Sequence, residues 1–331
     1  MNIAIKLPND LNERVLTFPF LHTLHKVLSA KLEEEEALNI HLISLKNGID
    51  VLNLLPFHAY YHELEEEDIK SIFTMHRACV NLKIESLDVF ISTTDSFVDA
   101  SIGKNYNAKE RVGFALGKNA WFFNNKISKL LGQHFSNQVY ELLKGVFDDV
   151  PPIPNVYSRN LDSQYSDWNE NLYTLINLDV VGKEINPEWK DFLELFDKKT
   201  FVLMCSELDF DNGDDIEKFQ TFMESLPSKN IYRTFEDKSN IAFGKIVSYC
   251  AGFVTGDSPL VNIAAYCGAQ TFHLHSKGKL NQLGPNYFIA DVRHFSITDP
   301  MFGNGSKFNY SKIFDELYAY IEQKTKVDES E

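Results

Sequence analysis

Short runs of continuous apolar residues alternate along this chain with stretches in which apolar residues recur at helical spacing. Asn2–Leu7 is an apolar strand closed by Pro8-Asn9-Asp10. From Glu13 to Lys31, the residues Val15, Phe18, Leu21, Leu24, Val27 and Leu28 fall on one helical face. Pro19 interrupts that pattern, so the helix either starts near it or is kinked there. The spacing then predicts a strand over Asn39–Leu45, a helix over Asp68–Cys79 and a buried parallel strand over Leu87–Ser92. A helix over Ser96–Tyr106, a short strand over Glu110–Phe114 and a helical stretch over Asn125–Gly145 complete the first half. The acidic run Glu33–Glu36 reads as a solvated loop or helix end.

Phe147–Asp167, with Pro151, Pro152 and Pro154 among Asp, Asn and Ser, is the poorest segment for regular structure and reads as a linker. Asn171–Lys199 is a transition region in which Asn186-Pro187-Glu188 marks a helix start. The alternation then restarts. Strands are predicted over Thr200–Cys205, Asn230–Phe235, Ala251–Thr255 and Thr271–Leu274, and helices over Asp214–Leu226, Asn240–Tyr249, Pro259–Cys267 and Lys312–Lys324. Two successive βαβ halves imply an α/β protein of two facing Rossmann-like, doubly wound domains, 1–160 and 161–331, with a cleft between them; the last helix is free to pack back on the first domain. In such sheets ligands bind beyond the carboxyl ends of the strands.

Composition narrows the function. The 331 residues carry 32 Lys and Arg against 47 Asp and Glu, a formal charge of -15, which repels phosphate backbones and excludes nucleic acid as the expected partner. Cys79, Cys205, Cys250 and Cys267 show no CxxC or Cys–His metal spacing and read as buried reduced thiols, which fits a cytoplasmic location. The N-terminus has no signal-peptide pattern, and no apolar stretch approaches the ~20 residues needed to span a bilayer. HExxH, GxSxG and P-loop patterns are absent, as is GxGxxG in either first βα turn, so zinc protease, hydrolase, NTPase and dehydrogenase readings fall away. No metal site is expected. His273 and His275 are expected at most to flank a site.

The most informative stretch is 251-AGFVTGDSPLVNIAAYCGAQTFHLH-275. A buried strand stops at Gly256. Ser258 then reads as a helix N-cap and Pro259 as the first helical residue, where a missing N–H costs nothing. Free N–H groups and a positive helix end at this point suit a phosphate or diphosphate. Asp257 beside them would orient a sugar hydroxyl rather than touch phosphate.

This stretch resembles the C-terminal signature of glycosyltransferase family 9, the ADP-heptose:lipopolysaccharide heptosyltransferases: a strand, Asp-(Thr/Ser)-Gly-x-x-His, and a small-residue helix. Gly256, Asp257, Ser258, Leu260, Ala264, Ala265 and Gly268 fall on it in register. Pro259 stands where the family often has Gly, and Asn262 where it has His. In the N-terminal loop, Thr17, Pro19 and Leu21 keep the family's spacing, and its catalytic Asp falls on Glu13, with Asp10 as the rival. A third match, Ala108-Lys109-Glu110-Arg111-Val112-Gly113-Phe114, is a fold marker.

The resemblance implies the GT-B architecture and an inverting transfer of a heptose-like sugar from a nucleotide-diphosphate donor, ADP-linked in preference to UDP-linked. The acceptor is a glycan or glycolipid such as the lipopolysaccharide core, met at the cytoplasmic membrane face with at most peripheral contact. Glu13 or Asp10 would be the general base. Gly256, Asp257, Ser258, Pro259, Leu260 and Asn262 would bind the donor, Asp95 and Lys104 would lie on the acceptor side, and no cofactor is required. One stretch departs from the family. Where a Lys or Arg should neutralise the leaving diphosphate, 205-CSELDFDNGDDIEKF-219 offers Glu207, Asp209, Asp211, Asp214 and Asp215. The alternative is a transferase-like binding or scaffolding protein without turnover.

Overall fold

In the computed structural model, residues 1–32, 37–154, 173–178, 185–208, 211–276, 284 and 292–328 are described. The run Glu33–Glu36, most of the expected linker and Asp209 lie outside them. The chain divides into two compact units, Met1–Val156 with Asn281–Phe288, and Tyr157–Leu280 with Ile289–Glu331.

The first unit is built on a six-stranded sheet. Its strands are β1 (Asn2–Lys6), β2 (Asn39–Leu45), β3 (Tyr60–Leu64), β4 (Val89–Ser92), β5 (Glu110–Phe114) and β6 (Asn125–Ile127), in the spatial order β3-β2-β1-β4-β5-β6. All the pairings are parallel. The order reverses between β1 and β4, where Lys6 pairs with Ser92 at the carboxyl ends, and that reversal is where doubly wound sheets open a ligand crevice.

The second unit repeats the plan with β7 (Tyr173–Asn177), β8 (Thr200–Met204), β9 (Ile231–Thr234), β10 (Gly252–Thr255), β11 (Thr271–His275) and β12 (Val292–Ser296). Their order is β12-β11-β10-β7-β8-β9, again wholly parallel, with the reversal between β7 and β10. The core strands are buried along their whole length, β4, β7, β8 and β10 at every position, as sheets covered on both faces require.

The helices show how local chemistry sets boundaries. The expected N-terminal helix is two helices, Leu11–Leu16 and Phe18–Lys31, parted at Thr17 with Pro19 in the first turn of the second. Proline removes the hydrogen bond that would otherwise join them. The helix expected over Ser96–Tyr106 likewise breaks at Ser101 into Phe97–Ala100 and Ile102–Asn105. Asn125–Gly145 is not one helix: it opens with β6, and only Phe135–Tyr140 is α-helical before a 3-10 turn at Glu141–Gly145. The transition region supplies the central strand β7, followed by a helix over Glu188–Glu194.

The last helix, Tyr310–Asp328, buries Ile313, Phe314, Leu317 and Ile321 in the second unit's core beside Trp189, Phe192 and Phe272. Its Tyr320 hydroxyl donates to Ala251 O at 3.3 Å. These contacts anchor it in the second unit's core.

Candidate functional site

At the carboxyl end of β1, the chain turns through Leu7–Asp10 over a buried polar cluster. Lys6 is fully buried, and its Nζ donates to Leu7 O at 2.6 Å and Asn9 Oδ1 at 2.8 Å, with Asp99 Oδ2 at 3.5 Å. Thr94 Oγ1 donates to the same Asp99 oxygen at 2.8 Å. Burial pushes the Lys6 ammonium below its ordinary value; Asp99 opposes that shift and Arg14 adds to it. Arg14, also fully buried, donates to the carbonyls of Pro8, Asn9 and Asn47. Two cations thus tie the loop to the sheet.

That loop carries the two candidate bases. Asp10 is exposed and caps the first helix, its Oδ1 accepting from Glu13 N–H at 3.1 Å. Its carboxylate is therefore already engaged. Glu13 sits half-buried in the first turn. Between this loop and the ends of β2 and β3 lies a cavity of about 490 Å³ lined by Asn9, Leu45, Lys46, Asn47, Leu64, Glu65 and Glu66.

The acceptor-side pair separates. Asp95, beyond the carboxyl end of β4, forms an ion pair with Lys129 and accepts from Asn119 through its carbonyl. Lys104 is exposed in the last turn before the chain re-enters the sheet at Glu110. That places it toward the amino ends of the strands, away from Asp95. Lys109 pairs with Asp88, and Arg111 donates to the carbonyls of Phe122 and Ala108.

In the second unit, the reversal between β7 and β10 is closed by Asn177, the last residue of β7. Its Nδ2 donates to Ser206 Oγ at 2.9 Å and Thr255 Oγ1 at 3.3 Å, and its Oδ1 accepts from Ser206 N–H at 3.1 Å. Asn177 ends a buried apolar strand with an amide, which is the sequence signal that could have marked it.

Past Thr255 come Gly256, buried, and Asp257. The helix that follows runs over Leu260–Tyr266, with Pro259 at the cap and Gly268 beyond its end at φ 78°. Ser258 is therefore not the N-cap expected, although its Oγ accepts from Leu260 N–H at 3.3 Å. Pro259, one position earlier than the first helical turn, brings no capping group. Asn262 is buried at 2% exposure inside the helix, so contact with a donor would require uncovering it.

Asp257 is the centre of a network that sequence reasoning missed. Its Oδ1 accepts from His273 Nε2 at 3.2 Å and His275 Nδ1 at 2.9 Å, and its Oδ2 accepts from the backbone N–H of Ser276 at 2.9 Å and from the Ser276 hydroxyl. Burial works against the carboxylate charge, but the hydrogen bonds from His273, Ser276 and His275 outweigh it and hold the carboxyl below the usual carboxylate range. His273 Nδ1 lies 3.2 Å from His294 Nδ1, its in-register partner on β12. Burial, with His273 and His275 nearby, lowers His294 to about 4. The signal was the spacing: residues two apart on a strand point to one face, and β11 lies beside β10.

The acidic stretch has a local explanation in part. Asp214 and Asp215 occupy the first turn of the helix Gly213–Glu224, where the positive end of the helix dipole favours acids, and Asp215 pairs with Lys218 at 3.0 Å.

Two wholly parallel, doubly wound six-stranded sheets with their helices form an α/β fold of the GT-B type. No family model matches the chain, and no curated protein matches it by sequence. Solved structures do share the fold. A family 9 glycosyl transferase from Veillonella parvula aligns over 97% of this chain and 96% of its own, at 15% identity and a TM-score of 0.73. The E. coli heptosyltransferase WaaC with ADP aligns over 98% and 99%, at 12% identity and a TM-score of 0.73. A UDP-GlcNAc 2-epimerase from Neisseria meningitidis bound to UDP-GlcNAc aligns over 85% and 84%, at 11% identity and a TM-score of 0.51.

Proposed function

We propose that this protein is an inverting glycosyltransferase, moving a heptose-like sugar from a nucleotide-diphosphate donor to a glycan or glycolipid acceptor such as a lipopolysaccharide core. The observation that carries the reading is Asp257. It stands two residues past β10, one of the two strands at the second sheet's reversal, and keeps its charge through the hydrogen bonds of His273, Ser276 and His275. A fixed carboxylate there offers its remaining lone pairs to sugar hydroxyls, and the backbone at Gly256 would let the diphosphate approach without side-chain bulk. The likeness to a heptosyltransferase holding ADP favours an ADP-linked donor over a UDP-linked one.

In the reaction, the acceptor oxygen attacks the anomeric carbon as its proton passes to a carboxylate. The bond from that carbon to the diphosphate oxygen breaks, and the nucleoside diphosphate leaves with the electron pair. Glu13 is the better base. Asp10 caps the first helix, and the half-buried Glu13 stands in that helix's first turn, just after the loop fixed from beneath by Lys6 and Arg14, where the family resemblance puts the catalytic acid. Residues 1–160 are then the acceptor domain and 161–331 the nucleotide-sugar domain. No helix among the described residues is long and apolar enough to cross a membrane, and a glycolipid acceptor would be met by peripheral contact at the cytoplasmic face.

Buried Asn262 and the acids at the start of Gly213–Glu224 favour a second reading, a binding or scaffolding protein without turnover. Transfer or slow donor hydrolysis, measured by nucleoside diphosphate release, separates the two. Glu13→Gln should lower the rate by about 10²–10⁴-fold, the usual worth of a positioned base, while Asp10→Asn, which keeps the cap, should change it little. An equal loss in both variants would remove Glu13 from the role, and no release from any nucleotide sugar would favour the scaffold.

A further inference from the structure

We propose that Asp257, His273 and His275 form a binding site for one divalent first-row transition-metal ion at the carboxyl edge of the second sheet. The ligand atoms are His273 Nε2, His275 Nδ1 and Asp257 Oδ1, all within 4.8 Å of one another.

The backbone explains why they converge. Thr255 pairs in register with His273 across β10 and β11. Two residues further on, Asp257 falls alongside His275, while the two histidines share a face of β11. All three therefore stand on or next to strand ends, which hold a ligand set more firmly than loops do.

The distances suit coordination as well as hydrogen bonding. Ligands about 2.0–2.1 Å from a metal are about 3.0 Å apart at right angles and about 3.4 Å apart in a tetrahedron. The two histidine-to-Oδ1 distances are 2.9 and 3.2 Å. These two pairs already stand at coordination spacing, and His273 Nε2 and His275 Nδ1, within 4.8 Å of each other, would close on the ion to complete the set.

An outer layer of partners is also built. Ser276 holds Asp257 Oδ2 through its N–H and hydroxyl, which leaves Oδ1 to the ion. His294 Nδ1 lies 3.2 Å from His273 Nδ1 and would accept a hydrogen bond from the His273 Nδ1–H when Nε2 carries the metal, fixing the tautomer. His273 is 4% exposed, so the ion would meet solvent from the His275 and Asp257 side.

Two imidazoles and one carboxylate select a borderline ion such as Zn²⁺ or Co²⁺ over Mg²⁺, which prefers oxygen throughout. Three protein ligands leave further positions for water or a ligand oxygen. Binding of the ion stands apart from the proposed function. Its role rests on that function: the charge would fall next to Gly256, on the loop proposed to face the diphosphate, in a chain whose 205–219 stretch carries acids where the family resemblance expects a neutralising Lys or Arg. The ion would then be a departure from the metal-free chemistry which the resemblance implies.

The test is calorimetric titration of chelator-stripped full-length protein with Zn²⁺ alone, followed by ADP with and without Zn²⁺. One Zn²⁺ per chain is expected. Affinity should fall by about 100-fold in His275→Ala, and by about 10-fold in His294→Phe, which touches only the outer layer. His275 is partly exposed, and circular dichroism of each variant should match the wild type. No saturable Zn²⁺ binding, or equal affinity in wild type, His275→Ala and Asp257→Asn, would overturn the site. Zn²⁺ binding without any ADP binding supports the metal site and removes the donor reading. ADP binding without Zn²⁺ binding does the reverse.

Discussion

Replacing Asp99 with alanine takes away the carboxylate that faces a fully buried ammonium. Lys6 Nζ and Asp99 Oδ2 are 3.5 Å apart, with both side chains at 1% exposure or less. At an effective dielectric of about 20, that separation is worth about 4–5 kcal/mol, and breaking a buried pair from one side costs about 3–5 kcal/mol because the other charge is stranded. Lys6 would keep Leu7 O and Asn9 Oδ1 while facing the nearby charge of Arg14. We therefore expect Asp99→Ala to cost the first unit about 4 kcal/mol. Hydrogen exchange of the β1 and β4 amides, at Ile3–Ile5 and Phe90–Ile91, reads this locally: they should exchange about 10³-fold faster. Lys6→Met with Asp99→Leu should restore most of the loss, since a well-packed apolar pair replaces a buried ion pair at little cost. A change below about 1 kcal/mol in Asp99→Ala would refute the assignment of a charged pair holding the loop together.

Other consequences are as direct. Stability should fall between pH 6.5 and about 4. Burial lowers His22, His62 and His294 to about 4, so over that window the unfolded chain takes up protons which the folded chain refuses. Partial solvent access reduces each contribution to about 1–2 kcal/mol, and thermal melts across this range should show the loss. Gly113→Ala would drive a methyl group into the Phe123 ring; a cost of about 1–3 kcal/mol in urea unfolding is expected. Trp189→Ala would open the second core beside Phe192 and Phe314 and leave Leu178 O without the indole donor 3.1 Å away. About 3–5 kcal/mol should be lost, seen as faster exchange in the second unit alone.

The fold was legible where strands are buried. β4, β8 and β10 are nearly continuous apolar runs, and in β2 the apolar Ile40, Leu42, Ile43 and Leu45 outweigh the polar positions between them, so the pattern finds all four. β3 escaped because it is an edge strand reading YYHEL, with Tyr60 and Tyr61 open to solvent. β6 is three residues long, too short to show alternation, and so passed for the start of a helix. β7 lies between a proline-rich stretch and a helix start, and its Thr174 and Asn177 dilute the apolar signal although it is central to its sheet. In the site, the turn after β10 drew attention to Asp257 through local residues. Its partners did not, because His273 and His275 are 16 and 18 residues away and meet it only through parallel pairing. Lys6 and Asp99 are further apart still, and a lysine ending an apolar strand gives no local sign that it is buried.

The transfer proposed for this protein requires the second sheet's carboxyl edge to bind a nucleotide sugar through the loop after β10. Isothermal titration of the wild-type protein and of Asp257→Asn with ADP-linked and UDP-linked sugars tests it most directly. One ADP-sugar should bind per chain, with affinity reduced about tenfold or more in the variant because a charged acceptor for the sugar hydroxyls is gone. Undetectable binding of every nucleotide sugar at millimolar concentration, or undiminished affinity in Asp257→Asn, would contradict it.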